Sequence, residues 1–185
     1  MQKLIDYIET IVKLDTEAIQ RLNELAVIES YAKNQHLLEA GQRCNKIWFL
    51  QSGMVRKYHI NDGKEHTCWI HTEDDIFTSL KSYSQQIYSE EYIQACEDSV
   101  VIGISRENSK KLATIPQFLT FSNTLMERAF VNIDIHTKEF NLRDAKGKYE
   151  YLKTIEPEMV KKAKLGHIAS ILGISQETLS RIRKG

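Results

Sequence analysis

The sequence predicts an α+β chain: a small antiparallel β-domain set between helices, followed by one long helix and a C-terminal helical hairpin. Three observations carry this. Gly41, Gly53 and Gly63 cut residues 31–77 into short stretches rich in β-branched and aromatic residues, the rhythm of a small sandwich or barrel. After Pro116 the apolar period becomes seven, with Leu119, Met126, Ile133 and Phe140 in register. The last 21 residues, LGHIASILGISQETLSRIRKG, hold two short amphipathic patterns on either side of Gly173.

The 185 residues fit one large domain or two small ones, at about 100–200 residues per domain. With 42% hydrophobic and 27% charged residues the chain can bury a core. Its formal net charge of zero hides a split. From Lys138 onward there are eleven Lys/Arg and six Asp/Glu, a net of +5, which leaves −5 for residues 1–137. A basic end on an acidic body is the asymmetry expected of a chain that offers one end to a polyanion. The N-terminal stretch MQKLIDYIETIVKLDTEAIQRL lacks a continuous apolar run and carries acids throughout. It reads as neither a signal peptide nor a membrane span, and the chain is expected in the cytoplasm. Cys44, Cys68 and Cys96 are three and widely spaced, which suits reduced thiols better than a disulfide framework or a structural zinc site.

Taken in order, Leu4, Ile5, Ile8, Ile11 and Val12, then Ile19, Leu22 and Leu25, recur at helical spacing. They predict two amphipathic helices, the second capped near Asp15 or Thr16. In the β region, Asn61-Asp62-Gly63 is a hairpin signal, since Asp-Gly accepts the positive φ angles of the favoured tight turns. Two further strands are predicted at Tyr92–Ala95 and Val100–Ile104. Pro116 suits the first turn of a helix, expected to run to near His136 or Phe140. Its seven-residue stripe, with Phe118 and Leu125 alongside and Phe130 filling in, predicts pairing along the helix with a second copy of the chain. The competing reading is that the stripe merely covers the β-domain. A further helix, about Leu142–Thr154, is expected to place Tyr149, Leu152 and Ile155 on one face.

In the tail, Ile168, Ala169, Ile171 and Leu172 make a short apolar face. Gly173 can take the left-handed conformation that ends a helix, and Ser175 is a good cap for the next one. Leu179 and Ile182 would pack the second helix on the first, with small Ala169 allowing close approach. Gln176, Glu177, Ser180, Arg181 and Lys184 are left outside. Two helices joined by a glycine turn, the second polar and basic outward, form a helix-turn-helix. Arg can bond guanine O6 and N7 together, Glu can accept from cytosine N4, and Ser or Gln can read several edges. Gln176, Glu177, Ser180 and Arg181 are therefore the candidate base readers. Lys161, Lys162, Lys164, Arg183 and Lys184 are candidate phosphate contacts, joined by His167, Ser175 and Thr178.

With its β-domain, long seven-repeat helix and IASILGISQETLSRIR tail, the chain resembles the Crp–Fnr family of bacterial transcription regulators. The resemblance spans essentially the whole chain, and the tail is its most specific part. It implies an N-terminal β-roll of the cyclic-nucleotide-binding type (jelly-roll-like), a dimerisation helix and a C-terminal winged helix-turn-helix. It also implies that Glu177, Ser180 and Arg181 read bases, with Gln176 where the family often has another base or phosphate contact. The partners implied are double-stranded DNA, a second copy of the chain and RNA polymerase, with no membrane. The expected division is residues 1–115, a β-roll sensor with N-terminal helices; 116–140, the dimerisation helix; and 141–185, the DNA-binding part, with a hinge near Phe140–Asp144.

The chain departs from that family in places. Members that bind cyclic AMP carry a G-E-L stretch and a later R-S-A, but here Thr78-Ser79-Leu80 and Ser89-Glu90-Glu91 stand there. Without an arginine, and beside two glutamates, a phosphate would be repelled, so cyclic AMP is not expected. Any effector would meet a polar pocket of Thr78, Ser79, Leu80, Tyr83, Ser89, Glu90 and Tyr92. The cysteine cluster of an iron–sulfur sensor is missing, and no cofactor is expected. Gly166 replaces a polar phosphate-contacting residue. The chain stops after the reading helix, so the second strand of a wing would have to come from before the first. The alternative to a regulator is a cupin-like β-barrel holding a metal or small molecule on His59, His66 and His71, although no close H-x-H pair supports it. No G-x-S-x-G, P-loop or H-E-x-x-H is present, and the chain is not expected to be an enzyme.

Overall fold

Residues 1–184 are described in a computed structural model. Helix α1 (Gln2–Glu9) and helix α2 (Thr16–Leu25) form the N-terminus. Asp15 is the α2 cap: its Oδ1 accepts from the Ala18 N–H at 2.8 Å. The apolar faces of both helices, Leu4, Ile5, Ile8, Ala18 and Leu22, are buried against Phe49, Ile102 and Leu112.

Eight strands follow: β1 (Ala26–Tyr31), β2 (His36–Leu38), β3 (Lys46–Ser52), β4 (Val55–Asn61), β5 (Lys64–His71), β6 (Ile76–Phe77), β7 (Tyr92–Ala95) and β8 (Ser99–Ser105). Helix α3 (Leu80–Gln85) interrupts them after β6, and helix α4 (Arg106–Leu112) closes the domain. They form two antiparallel sheets, ordered β1-β8-β3-β6 and β2-β7-β4-β5. Trp48, Leu50, Val55, Phe77, Ile93 and Val101 fill the space between them. The β4–β5 connection is the turn that Asp-Gly signals, with φ of 50° at Asp62 and 72° at Gly63. A register shift between Lys57 and Tyr58 marks a bulge in this hairpin. Strand β7 has the expected bounds, and β8 extends one residue further at each end.

Helix α5 (Pro116–Asn141) opens on Pro116 and, at 26 residues, is about 39 Å long. Its two apolar faces have different fates. Phe118 and Phe121 are buried on the roll, with Leu125 packed alongside. Leu119, Met126 and Ile133 stand 49%, 53% and 58% exposed, and Phe130 67%. The stripe at seven-residue spacing is thus not the face that covers the β-domain. Phe140 leaves it: this half-buried ring stacks on His136 at 4.7 Å and joins the C-terminal core.

Helix α6 (Ala145–Ile155) starts three residues later than expected, because the Asp144 carboxylate accepts from the Gly147 N–H at 2.8 Å and fixes the cap there. Leu142 is left 87% exposed. Tyr149 and Leu152 are buried, whereas Ile155, expected beside them, is 39% exposed at the helix end. Pro157 drives Glu156 out of helical geometry (φ −134°, ψ 61°) and opens helix α7 (Pro157–Lys162), which the apolar pattern did not signal. Helices α8 (Leu165–Leu172) and α9 (Gln176–Lys184) complete the chain. Among the described residues no strand follows β8, so the expected wing is not formed from them. The roll takes that place: Met54 and Ile70 belong to the same core as Leu152, Met159, Ile168, Ala169, Leu172 and Leu179.

Glu156, half-buried at the α6–α7 junction, is pushed up to about 7 by burial and then by the Asp75 carboxylate. Its ordinary value is 4.5, so the folded state holds the proton more tightly. Stability from this group is fully present below pH 4.5 and is lost as pH rises through 7. Glu156→Gln is therefore expected to melt like the parent near pH 4.5 and above it at pH 8. Melting curves of both proteins across that range check this; a gap that does not change with pH would contradict it.

Candidate nucleic-acid interface

The C-terminal hairpin is built on a few local constraints. Gly173 ends α8 in the left-handed region (φ 67°, ψ 32°), and the Gly173 and Ile174 N–H groups return to the Ser170 and Ala169 carbonyls at 3.1 and 3.0 Å. Two residues later the Ser175 hydroxyl accepts from the Thr178 N–H at 3.2 Å and caps α9. Leu179 is fully buried under α8, beside Ala169, with Ile182 partly buried next to it. That anchoring turns Gln176, Glu177 and Arg181 into solvent, with Ser180 half-exposed between them. Together with Leu165 of α8 these four residues line one open concavity. The Glu177 carboxyl is held below its ordinary value by its own backbone N–H at the helix start and by the Ser175 hydroxyl. It is a carboxylate at neutral pH and can only accept.

The candidate phosphate contacts divide. Lys164, Ser175, Arg183 and Lys184 are exposed. Thr178 is half-buried and lies 3.5 Å from Arg181 Nη2. Lys161 and Lys162 are drawn to Glu158. His167 does not face outward, contrary to expectation. It is half-buried against the roll, where Arg56 Nη1 donates to its Nε2 at 3.2 Å. Arg56 has only donors, so Nε2 must accept and the ring proton must sit on Nδ1, which has no partner among the described residues. Burial first, then the neighbouring Arg56 and Lys164 charges, pushes this imidazole down to about 4. A neutral, roll-facing histidine is not a phosphate ligand.

Arg56 itself, given no role by the sequence reading, organises this junction. It is 7% exposed on β4, bonded to Glu65 at 2.7 Å and to Gln94 Oε1 at 2.6 and 2.9 Å, with its guanidinium 4.0 Å above the Tyr58 ring. Beside it, the Thr67 N–H of β5 donates to Ser170 Oγ of α8 at 2.8 Å. The only hint in the sequence was an arginine two residues from a tyrosine in a strand, which places both on one sheet face.

The proposed effector region is tied to the roll's own groups. Ser79 Oγ donates to Glu91 Oε2 at 2.7 Å and lies 3.1 Å from Ser89 Oγ. Ser89 Oγ donates to the Glu91 carbonyl at 2.9 Å, Lys57 sits 3.6 Å from Glu91 Oε1, and Thr78 Oγ1 donates to the Lys46 carbonyl at 2.8 Å. Tyr83 packs on the roll core and Tyr92 stacks on Tyr58 at 4.9 Å. Two expected members are misplaced. Glu90 is exposed and pairs with Lys81, while Leu80 is 57% exposed at the start of α3. Alternation along the chain turns Glu91, not Glu90, inward. Of the three β-region histidines, His59 and His66 face each other across the β4–β5 hairpin, whereas His71 binds Asp75 and stacks on Phe77, so they do not converge.

A β-roll, a long helix and a terminal pair of helices joined by a glycine turn are the parts that the Crp–Fnr resemblance implies. Residues 28–114 match the family model for the cyclic nucleotide-binding domain. Among solved structures, the chain is similar to the catabolite activator protein of Thermus thermophilus (18% identity, 92% of this chain and 83% of that one, TM-score 0.57). It is also similar to the c-di-GMP responsive global regulator CLP of Xanthomonas campestris (14%, 92% and 90%, 0.68). A third likeness is to a chain assigned as a transcriptional regulator of the Crp/Fnr family from Eubacterium rectale (20%, 92% and 82%, 0.66). No curated protein sequence matches the chain. The resemblance carried by the tail therefore holds for the fold over most of the length, and the segment 28–114 is similar to the cyclic-nucleotide-binding type of roll.

Ser170→Ala removes the partner of the Thr67 N–H, whose residue is 4% exposed. A buried donor left unpaired costs about 1–3 kcal/mol. Urea unfolding should show a lower midpoint, and unchanged stability would mean that α8 is not held on β5 by this bond.

Proposed function

We propose that the chain is a homodimeric, sequence-specific reader of double-stranded DNA that regulates transcription in the cytoplasm. The observation that carries this is the two-sidedness of α9. One face is anchored by fully buried Leu179, and the other gathers Gln176, Glu177, Ser180 and Arg181 on one open surface. Arg181 and Glu177 supply a donor fork and an acceptor for base edges, while Lys164, Arg183 and Lys184 flank them for the phosphates. Residues 1–115, 116–140 and 141–185 divide as sensor, dimer helix and reader. No part in catalysis is assigned to any of them. Among the described residues no helix is long and apolar enough to cross a membrane.

Dimerisation rests on the α5 stripe. Leu119, Met126, Phe130 and Ile133 are between 49% and 67% exposed on a face that the roll does not use, and a seven-residue repeat suits a paired helix. Two copies joined there would present two reading helices to half-sites about 34–36 Å apart, one duplex turn. Cyclic AMP is not the proposed effector: the inward Glu91 carboxylate, bonded to Ser79 and beside Ser89, would oppose a phosphate.

The test is selection of bound duplexes from a random pool by the purified protein at about 0.15 M salt. A two-fold-symmetric motif with half-sites one turn apart is the expected result. No enrichment, with or without cell extract, would overturn the reading.

Two sets of variants sharpen it. Arg181→Ala should cost on the order of 1–3 kcal/mol at one base pair and relax specificity there. Lys184→Ala should weaken all sequences alike and flatten the dependence on salt. Titrations on specific and random duplexes at several salt concentrations separate the two. Ile133→Glu should turn the dimer into a monomer in analytical ultracentrifugation while leaving the fold intact by circular dichroism.

A further inference from the structure

Gly166, the second residue of α8, lies directly beneath Gln176, the first residue of α9. A Cβ built on Gly166 would stand 2.5 Å from Gln176 Nε2, 3.2 Å from its Cδ and 3.8 Å from its Cγ. The Gln176 side chain, exposed on its outer side, thus lies back over the first turn of α8, in space that a side chain at residue 166 would enter. Gly166 has no left-handed φ that would demand a glycine, and glycine is a poor choice inside a helix. Its close approach to Gln176 gives it a physical reason to be there. The atoms in conflict are the end of a flexible side chain, so a larger residue at 166 would be accommodated by moving the amide, not by parting the helices.

The same concavity holds Leu165, beside Gly166, and the reading residues Glu177, Ser180 and Arg181. Where the Gln176 amide rests therefore decides what it offers to a ligand there. An extended Gln amide can pair with adenine N6 and N7 together, whereas one laid along α8 cannot reach as far from α9. We propose that Gly166 is a positioning residue that sets the DNA sequence preference: its bare Cα lets Gln176 fold back, and so fixes the base position that Gln176 discriminates. This rests on the DNA reading proposed above and adds a residue that does not itself touch a base.

A double-mutant cycle tests it with four full-length proteins: the parent, Gly166→Ala, Gln176→Ala and the double variant. Each is put through the random-pool selection, followed by titration on duplexes varied one half-site position at a time. Gly166→Ala is expected to change the preference at one position by on the order of ten-fold and to leave the position relaxed by Arg181→Ala unchanged. Gln176→Ala and the double variant are expected to share one preference, because without the amide nothing is left to displace. Thermal unfolding of the same set gives a readout free of DNA: Gly166→Ala should raise the melting temperature more in the Gln176→Ala background than in the parent.

If the parent enriches a motif, Arg181→Ala relaxes it and the cycle shows no coupling in preference, this inference falls and the DNA reading stands. A Gly166→Ala effect that is uniform over all positions, or that persists in the Gln176→Ala background, overturns it as well. If the parent enriches no motif with or without cell extract, both fall.

Discussion

A single guanidinium holds the two halves of this molecule in register. Arg56 leaves β4 almost fully buried and meets Glu65 of β5, Gln94 of β7 and His167 of α8, with the Tyr58 ring beneath it. A buried charge is tolerated only when it is paired and hydrogen-bonded, and this one is met by the half-exposed Glu65 carboxylate, the Gln94 amide oxygen and the His167 ring together. The arrangement is therefore specific: α8 must present an acceptor where His167 stands, and that imidazole must stay neutral to serve. The Thr67–Ser170 bond and the apolar contacts of Met54 and Ile70 close the same junction.

From this junction the geometry passes outward in short rigid steps. The turn at Gly173 and the burial of Leu179 fix α9 against α8. The outward face of α9 is therefore placed by the roll through α8, with no strand among the described residues to brace it. Helix α5 reaches the same core from the other side, where His136 meets Trp69 of β5 edge-on at 5.5 Å and stacks on Phe140. The β4–β5 hairpin thus touches α8 directly, through Arg56 and Thr67.

Opposite this junction, the roll is closed by its own side chains. Glu91 accepts from Ser79, and Ser89 bonds the Glu91 backbone, so hydroxyls that the sequence offers as ligand donors already have partners. The negative charge faces Lys57 within the roll. An anion entering there would meet the Glu91 carboxylate as well as the Lys57 ammonium.

What the sequence by itself determined was everything governed by local periodicity and local caps. Two N-terminal helices, the Asp62-Gly63 hairpin turn, the start of α5 at Pro116 and the Gly173–Ser175 turn all follow from residues within a few positions of each other, because φ preferences, capping and side-chain period are short-range. The outward set Gln176, Glu177, Ser180 and Arg181 was legible for the same reason, as the complement of Leu179 and Ile182 on one short helix. Where two local signals competed, the stronger won: Asp144 moved the start of α6, and Pro157 made a helix of its own. Only the tertiary structure decided what lies opposite what. His167 faces the roll, Glu91 takes the inward place given to Glu90, Phe140 leaves the exposed stripe, and Gln176 rests over Gly166. Each of these depends on which residues, from tens to more than a hundred positions away along the chain or across a turn between helices, are packed against the element in question, and periodicity along one element carries no information about its neighbour.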